Sequence, residues 1–242
     1  MWETLADEGA AQPELFGRRM HDLATLHGAE NTLLATFDRA IAERPERAKN
    51  WHAFLESDAG GFRVSRAGVI VGQILLSQLD LPEDYRALVL NNLSVHLNDA
   101  GDGAGALAAI REAADIRRRL VQGNPARFEP DLAGSLNNLS NRLSDAGDGV
   151  GALTAIREGA DIYRRLAQAN PARFEPDLAM SLNNLSNQLS DAGNSTSALA
   201  VIQEAADIRR RLAQTNPARF STVLEQSLRN LDLIRTKHPT RA

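Results

Sequence analysis

The sequence predicts an all-α protein in which antiparallel helix hairpins stack into a solenoid, and three observations lead to that prediction. A block of 46 residues repeats without gaps. Leucines recur within each block at helical spacing. The chain is rich in alanine and leucine, while only 5% of its residues are aromatic. That composition suits helix packing better than a β-sandwich.

The repeat is clearest around a pentapeptide. Residues 124–128, with the sequence Asn-Pro-Ala-Arg-Phe, return as residues 170–174 and 216–220, 46 residues further on each time. Residues 124–169 and 170–215 are identical at 34 of 46 positions, and an earlier copy from Leu90 onward keeps the same register. One amphipathic hairpin cannot bury its apolar stripes alone, so such repeats are expected to stack.

The first helix of each unit is predicted from its start signal and its leucines. In the second copy, Pro130 and Asp131 open the helix, because proline and an acidic residue both fit the first turn. Four leucines then follow at steps of four, three and four: Leu132, Leu136, Leu139 and Leu143. The two glycines within residues 145–149 end the helix.

The second helix of that copy is predicted to run from about Val150 to Ala169. Its apolar residues are expected to be buried: Leu153, Ile156, Ala160 and Leu166. Pro171 ends it, because proline cannot continue the hydrogen-bond ladder. The pentapeptide is therefore expected to be a short connection between units.

These helices resemble tetratricopeptide repeats. That family places a large residue, leucine beside a small residue, and another large residue on its first helix, then alanine, a large and a small residue on its second. The matching positions are Leu90, Leu93, Ser94, Leu97, Ala106, Ile110 and Ala113; Leu136, Leu139, Ser140, Leu143, Ala152, Ile156 and Gly159; and Leu182, Leu185, Ser186, Leu189, Ala198, Ile202 and Ala205. The resemblance implies a right-handed α-solenoid whose first helices line a concave groove.

The length of the unit departs from the family's standard of about 34 residues. The longer second helix is similar to the kinesin-light-chain type of repeat and to arrays attached to bacterial signalling and defence proteins. The extra length of the unit affects the superhelical pitch that the resemblance implies, but not the prediction of helix hairpins.

Three regions are predicted along the chain. Residues 1–85 resemble more divergent repeats, in which Phe37, Ala40 and Pro45 match a second helix, Trp51 opens the next unit and residues 62–79 form its second helix. Residues 86–220 hold the three repeats. Residues 221–242 are predicted to form a capping helix and tail, in which Arg235 replaces an expected leucine.

Asparagines recur in the middle of the first helices, where asparagine is a poor helix former. The predicted partner-binding residues of the groove are Asn91, Asn92, Asn137, Asn138, Asn141, Asn183, Asn184, Asn187 and Asn230. An amide both donates and accepts hydrogen bonds. With helices about 8–10 Å apart and a strand rising about 3.3 Å per residue, one asparagine per unit would meet every third peptide residue. Two alternatives stay open: bonds between neighbouring repeats, or passive copying during recent duplication.

Arginine clusters near the ends of the second helices are the second candidate. They comprise residues 117–119, 164–165 and 209–211. We favour the interpretation that these arginines are helix-end charges on a solvated face over a basic ridge that binds an acidic partner or nucleic acid. Asp115, Asp161 and Asp207 lie at helical spacing from them and neutralise part of their positive charge. Arg127, Arg173 and Arg219 are interpreted as structural residues of the connections.

Catalytic and metal-binding signatures are weak. The chain has no cysteine, which excludes thiolate metal sites and cysteine nucleophiles. Residues 101–105 contain three glycines but lack the lysine of a phosphate loop and are interpreted as an interhelix turn. The five histidines show no metal spacing, although His96 stands out because it lies beside Asn92. We therefore predict no catalytic residue, no metal site and no cofactor.

The predicted function is that of a cytoplasmic scaffold, an adaptor or sensor module that binds a peptide or partner protein in the groove. The net charge of −4 disfavours nucleic acid, and neither a secretory signal nor a membrane span is expected. A self-associating solenoid, forming a homo-oligomer that organises an assembly, is the alternative. An enzyme hidden in the first 90 residues is a third hypothesis.

Overall fold

The computed structural model describes residues 65–237, together with residues 48, 49 and 52. Residues 65–237 form eight helices and no strand. The helices are α1 (Ser65–Gln78), α2 (Glu83–Asp99), α3 (Gly103–Gly123), α4 (Pro125–Asp145), α5 (Gly149–Ala169), α6 (Pro171–Asp191), α7 (Ser195–Thr215) and α8 (Pro217–Lys237). The first helices of the three repeats are α2, α4 and α6, and the second helices are α3, α5 and α7. Helix α8 follows the third repeat, partly copies the first-helix pattern and is counted below with the first helices.

The chain divides into two compact units between Ile116 and Arg117, inside α3. In the first unit, α1 packs against α2. In the second unit, consecutive helices from α4 to α8 pack against one another, and α6 also contacts both α4 and α8. The predicted all-α architecture of stacked hairpins is confirmed. The predicted region boundaries at residues 85 and 220 stay predictions, although α8 begins at Pro217, before the second of them.

The core consists of the repeated signature positions, which are buried in all three copies. Leu136, Ile156, Leu182 and Ile202 are fully enclosed. Leu153 and Leu166, predicted to be buried, are only half-buried. Leu153 lies at the margin of the buried stripe of α5, and Leu166 lies near the end of that helix.

The first helices begin earlier than the sequence predicted. Helix α4 begins at Pro125 because the Asn124 side chain caps it, accepting a hydrogen bond from the Arg127 backbone N–H at 3.2 Å. Asn170 and Asn216 cap α6 and α8 in the same way. The pentapeptide is therefore the cap and first turn of a helix, and Pro130 lies inside it. Both prolines carry a helix-start signal, and the asparagine cap selects the earlier one.

The turns within the hairpins follow the prediction. Gly101, Gly147 and Gly193 adopt φ values of 89°, 80° and 77°, a conformation that glycine tolerates and other residues rarely adopt. The Asp148 side chain then caps α5 by accepting a hydrogen bond from the Gly151 backbone N–H at 2.8 Å. The equivalent turn at residues 101–105 is an interhelix turn, as expected.

The ends of the described region agree in part with the sequence analysis. A helix, α1, is observed at Ser65–Gln78 within the predicted range 62–79, and its role as the second helix of a divergent repeat stays a prediction. The predictions for Phe37, Ala40, Pro45 and Trp51 fall outside the described residues. On α8, Leu231 is buried and Arg235 is exposed. No helix in the described part of the chain is long and apolar enough to cross a membrane.

Candidate functional site

Five of the nine predicted groove residues lie on one recurring stripe of α4, α6 and α8. On α6, Met180, Asn184, Asn187 and Asp191 follow at steps of four, three and four, so they share one face, opposite the buried leucines. The equivalent positions are Gly134, Asn138, Asn141 and Asp145 on α4, and Gln226, Asn230 and Leu233 on α8. We call these eleven residues of the second unit the asparagine face.

The asparagine face is accessible. Asn138, Asn184 and Asn230 are half-buried, while Asn187, Asp145 and Asp191 are exposed. Met180 and Leu233 leave 43% and 56% of their surface exposed, which is high for large apolar side chains. The helix stripe therefore offers amides, carboxylates and apolar surface together.

Asn137, next to Asn138, lies in a different environment. It is only 2% exposed. Its Nδ2 donates to the Ser181 hydroxyl at 2.7 Å, and that hydroxyl donates to the Asn137 Oδ1 at 2.9 Å. This pair joins α4 to α6, so for Asn137 the geometry favours the alternative in which asparagine bonds hold neighbouring repeats together.

Asn183, at the equivalent position of α6, makes weaker contacts with α8. Its Oδ1 accepts hydrogen bonds from the Ser227 hydroxyl at 3.4 Å and from the Asn230 Nδ2 at 3.1 Å. Part of the hydrogen-bonding capacity of Asn230 is therefore used inside the protein. In the first unit, the Asn91 Nδ2 donates to the Asn92 Oδ1 at 3.1 Å.

Three of the predicted groove amides remain available. Among residues 65–237, the side chains of Asn141, Asn184 and Asn187 receive no hydrogen bond from the protein and donate none. Asn184 is the central one, since it lies on the middle helix of the face. The Asn184 amide can accept a hydrogen bond from a backbone N–H of a ligand peptide and donate one to a backbone C=O.

Sequence reasoning missed the role of two arginines on the second helices. Arg117 and Arg209 are each only 6% exposed, although they were interpreted as solvated helix-end charges. The Arg117 Nη1 donates to the Asp131 carbonyl at 2.9 Å and to the Ser135 hydroxyl. The Arg209 Nη1 donates to the Val223 carbonyl at 2.8 Å and to the Ser227 hydroxyl at 2.6 Å. Burial lowers the pKa of both guanidinium groups, and the Asp131 charge opposes that effect at Arg117.

The middle copy has Tyr163 where the other two have arginine. The Tyr163 hydroxyl donates to the Pro130 carbonyl at 3.2 Å, and burial raises its pKa. A Cβ atom placed on Gly134 would lie 3.5 Å from that hydroxyl. This substitution between near-identical repeats was the signal in the sequence that could have identified the position as special.

Other arginines of the predicted ridge are paired with carboxylates. The ion pairs are Arg118 with Glu158, Arg164 with Asp161 and Glu204, Arg165 with Glu129, Arg210 with Asp207, and Arg211 with Glu175. Two of these acids, Asp161 and Asp207, were expected from helical spacing. The pairing disfavours a basic ridge for nucleic acid.

A cavity of about 550 Å³ opens where the N-terminal ends of α6 and α8 meet the end of α7. Arg173 and Arg219 line it, and their guanidinium groups lie over the rings of Phe174 and Phe220 at 4.8 and 5.0 Å. Asp177 also lines the cavity. Burial raises the pKa of its carboxyl group, while Arg219 and Arg173 oppose that shift.

The structure gives His96 a packing environment. A Cβ atom added to Gly68 of α1 would lie within 2.5 Å of the His96 ring, so these two residues are in close contact. Over the described ranges, no group of three potential metal ligands comes together.

Comparison with known proteins agrees with this architecture. A family model described as tetratricopeptide repeat matches residues 86–126, 132–171 and 178–217. Among proteins of curated function, none matches the sequence.

Two solved structures are similar in fold, and a third matches less closely. The structure of BtubC (BKLC) from P. vanneervenii has 18% identity and a TM-score of 0.57, covering 86% of this chain and 81% of that one. MamA has 11% identity and a TM-score of 0.51, with coverage of 77% and 92%. A putative kinesin light chain from Podosopora anserina with nearly identical TPR-like repeats has 16% identity and a TM-score of 0.48, with coverage of 85% and 99%. With family matches over half of its length, the chain belongs to the tetratricopeptide repeat family.

Proposed function

We propose that this protein is an interaction scaffold that binds an extended peptide segment of a partner protein across the asparagine face, as a cytoplasmic adaptor or sensor module. Tetratricopeptide repeat proteins generally mediate protein–protein interaction and are typically non-enzymatic scaffolds. The absence of cysteine suits a reducing compartment.

The observation that carries the proposal is the row of Asn138, Asn184 and Asn230 on three adjacent first helices. These residues recur every 46 positions and are partly exposed. Packed helices lie about 8–10 Å apart, which is about three residues of an extended chain. One backbone group in every three of a bound strand therefore lies over an asparagine of this row.

The residues before Asn138 and Asn184 hold the helices of this row together. Asn137 and Asn183 bond to the next first helix through Ser181 and Ser227. These bonds hold the first helices side by side. The first asparagine of each pair thus fixes the spacing, and Asn184 presents an amide that has no hydrogen bond to residues 65–237.

The test compares wild type with the double variant Asn138→Ala, Asn184→Ala. Each protein is screened against a displayed library of random peptides of about ten residues, long enough to cross three helices. Enriched peptides are then measured by fluorescence anisotropy. We expect the double variant to bind at least about tenfold more weakly, since each lost amide removes about 1 kcal/mol or more of hydrogen bonding.

Arg157→Ala is the control variant, because Arg157 is exposed on a second helix away from the face. It should bind like wild type, and all proteins should share the same helicity and urea midpoint. Equal binding by wild type and the double variant would place the site elsewhere and remove the ligand role of these asparagines.

A further inference from the structure

We infer that the segment bound by the asparagine face carries apolar side chains on one of its edges and basic side chains on the other. This inference rests on the proposed function and specifies the chemistry of its ligand. It derives from two rows of residues that flank the asparagines on α4 and α6.

The first row is apolar and lies one helical turn before the asparagines. Met180 precedes Asn184 by four residues, about 6 Å along the helix axis, and leaves 43% of its surface exposed. The neighbouring position on α4 is Gly134, which has no side chain and lies beside the Tyr163 hydroxyl, so Met180 is the one exposed large apolar side chain on α4 and α6. The exposed part of the Met180 side chain offers apolar surface to a side chain of the bound segment.

The second row is acidic and lies about 10 Å on the other side of the asparagines, two turns further along the helices. It consists of Asp145 and Asp191, both exposed. Asp191 forms no ion pair with any residue of 65–237, since the position that Arg142 occupies on α4 is Gln188 on α6. Asp145 pairs with Arg142 at 3.1 Å, and Asp148 follows in the adjacent turn. The edge thus keeps an excess of negative charge.

An extended peptide lying over the asparagine row satisfies both flanks. Successive side chains of a strand point to opposite sides. Those on one side fall over Gly134 and Met180, and those on the other point toward Asp145 and Asp191, within reach of a lysine or arginine. Leu233 of α8 is exposed, and the sequence of α8 has no acidic residue at the position equivalent to Asp191, so the basic preference is confined to α4 and α6.

Three synthetic peptides of equal length test the inference: one alternating leucine and lysine, one alternating leucine and glutamate, and one alternating serine and lysine. Dissociation constants are measured by fluorescence anisotropy at low and at physiological salt. We expect the leucine–lysine peptide to bind at least about tenfold more tightly than either other peptide, and added salt to weaken it.

The chain itself supplies the substitutions, because α8 carries glutamine and lysine at the equivalent positions. Met180→Gln should weaken the leucine–lysine peptide about fivefold by removing apolar contact. Asp191→Lys should weaken it about tenfold by replacing attraction with repulsion. Asp161→Lys makes the same charge change on a second helix and should change the affinity by less than about twofold.

The outcomes separate this inference from the proposed function. If the leucine–glutamate peptide binds as tightly as the leucine–lysine peptide, and Asn138→Ala, Asn184→Ala weakens both, the groove stands and the inference is wrong. If Asp191→Lys weakens binding and the asparagine variant does not, the inference stands and the role of the amides is wrong. No binding by any peptide, or equal effects of Asp191→Lys and Asp161→Lys, overturns the inference.

Discussion

The two junctions between first helices in the second unit use the same residue types in different ways. Between α4 and α6, Asn137 and Ser181 exchange two short hydrogen bonds. Between α6 and α8, Asn183 accepts one long bond from Ser227 and one from Asn230. Asn137 is enclosed, whereas Asn183 is half-buried.

The difference follows from one position on the preceding second helix. Arg209 donates to the Ser227 hydroxyl, which therefore no longer pairs closely with Asn183. Tyr163 occupies the same position in the middle copy and donates to the Pro130 carbonyl of its own hairpin. The Ser181 hydroxyl therefore remains free to pair with Asn137. The residue at this position thus distinguishes the junction where the asparagine of the face, Asn184, has no hydrogen bond to residues 65–237 from the junction where Asn230 is bonded to Asn183.

The largest expected effect is the loss of the enclosed asparagine. Asn137→Ala should lower the free energy of unfolding by about 2–3 kcal/mol, because it leaves the buried Ser181 hydroxyl without its partner and opens a small cavity. Asn183→Ala should lower the free energy of unfolding by about 1 kcal/mol, since the hydrogen bonds of Asn183 are longer and more exposed than those of Asn137. Urea unfolding followed by helicity measures both, and equal losses would contradict the comparison.

Exchanging the residues that distinguish the junctions is the next largest change. Arg209→Tyr should lower the free energy of unfolding by about 2 kcal/mol, because it removes the Arg209 hydrogen bonds to Val223 and Ser227 and places the tyrosine beside Met180, whose equivalent beside Tyr163 is Gly134. Adding Met180→Gly should recover about 1 kcal/mol of that loss, which a double-mutant cycle in urea would show as coupling. If the effects of the two substitutions on the free energy of unfolding simply add, the introduced tyrosine does not depend on glycine at position 180.

Removing only the hydroxyl group tests whether Tyr163 acts apart from the Asn137–Ser181 pair. Tyr163→Phe should cost about 1 kcal/mol, the worth of its bond to the Pro130 carbonyl. The loss caused by Asn137→Ala should be the same in this background as in wild type. A changed loss would show that the tyrosine and the pair form one network.

The smallest effect concerns Asp177, whose equivalent at the last junction is the uncharged Val223. Burial raises the folded-state pKa of Asp177 above its ordinary 3.8, so the folded protein binds this proton more tightly than the unfolded chain does. The stability contributed by Asp177 therefore falls as pH rises from 3.8 through the raised pKa.

Asp177→Asn should accordingly be more stable than wild type at neutral pH, by less than about 1 kcal/mol because the group is half-exposed. The gain should disappear below pH 3.8, where Asp177 is protonated in both states. Urea unfolding across this pH range is the measurement, and a gain that grows on acidification would reverse the sign assigned here.

Much of the fold could be predicted because its signals are local. The leucine stripes of α4 and α6, the glycine turns at Gly147 and Gly193, and the stop at Asn170 depend on neighbours within a few residues. The start of α4 could not be fixed in this way, since Pro125 and Pro130 both carry a start signal. The Asn124 cap, visible in the structure, selects the first.

The candidate site divides in the same way. Periodicity placed Asn138, Asn184 and Asn230 in one series, and the structure places them on one accessible face. Periodicity did not distinguish Asn137 from Asn138, because adjacent residues on a helix differ by only 100° in direction and the partner of Asn137 lies 44 residues away. Periodicity also did not predict that Arg117 and Arg209 are buried.

The sequence by itself determined the helix hairpins, their 46-residue register and the side of each helix that forms the core, because these depend on the spacing of residues along one helix. Only the tertiary structure decided which asparagines hold neighbouring repeats together, which remain available, and how Tyr163 or Arg209 directs that choice. Those roles depend on side chains brought together from different repeats, and nearly identical repeats can make different contacts when one such neighbour changes.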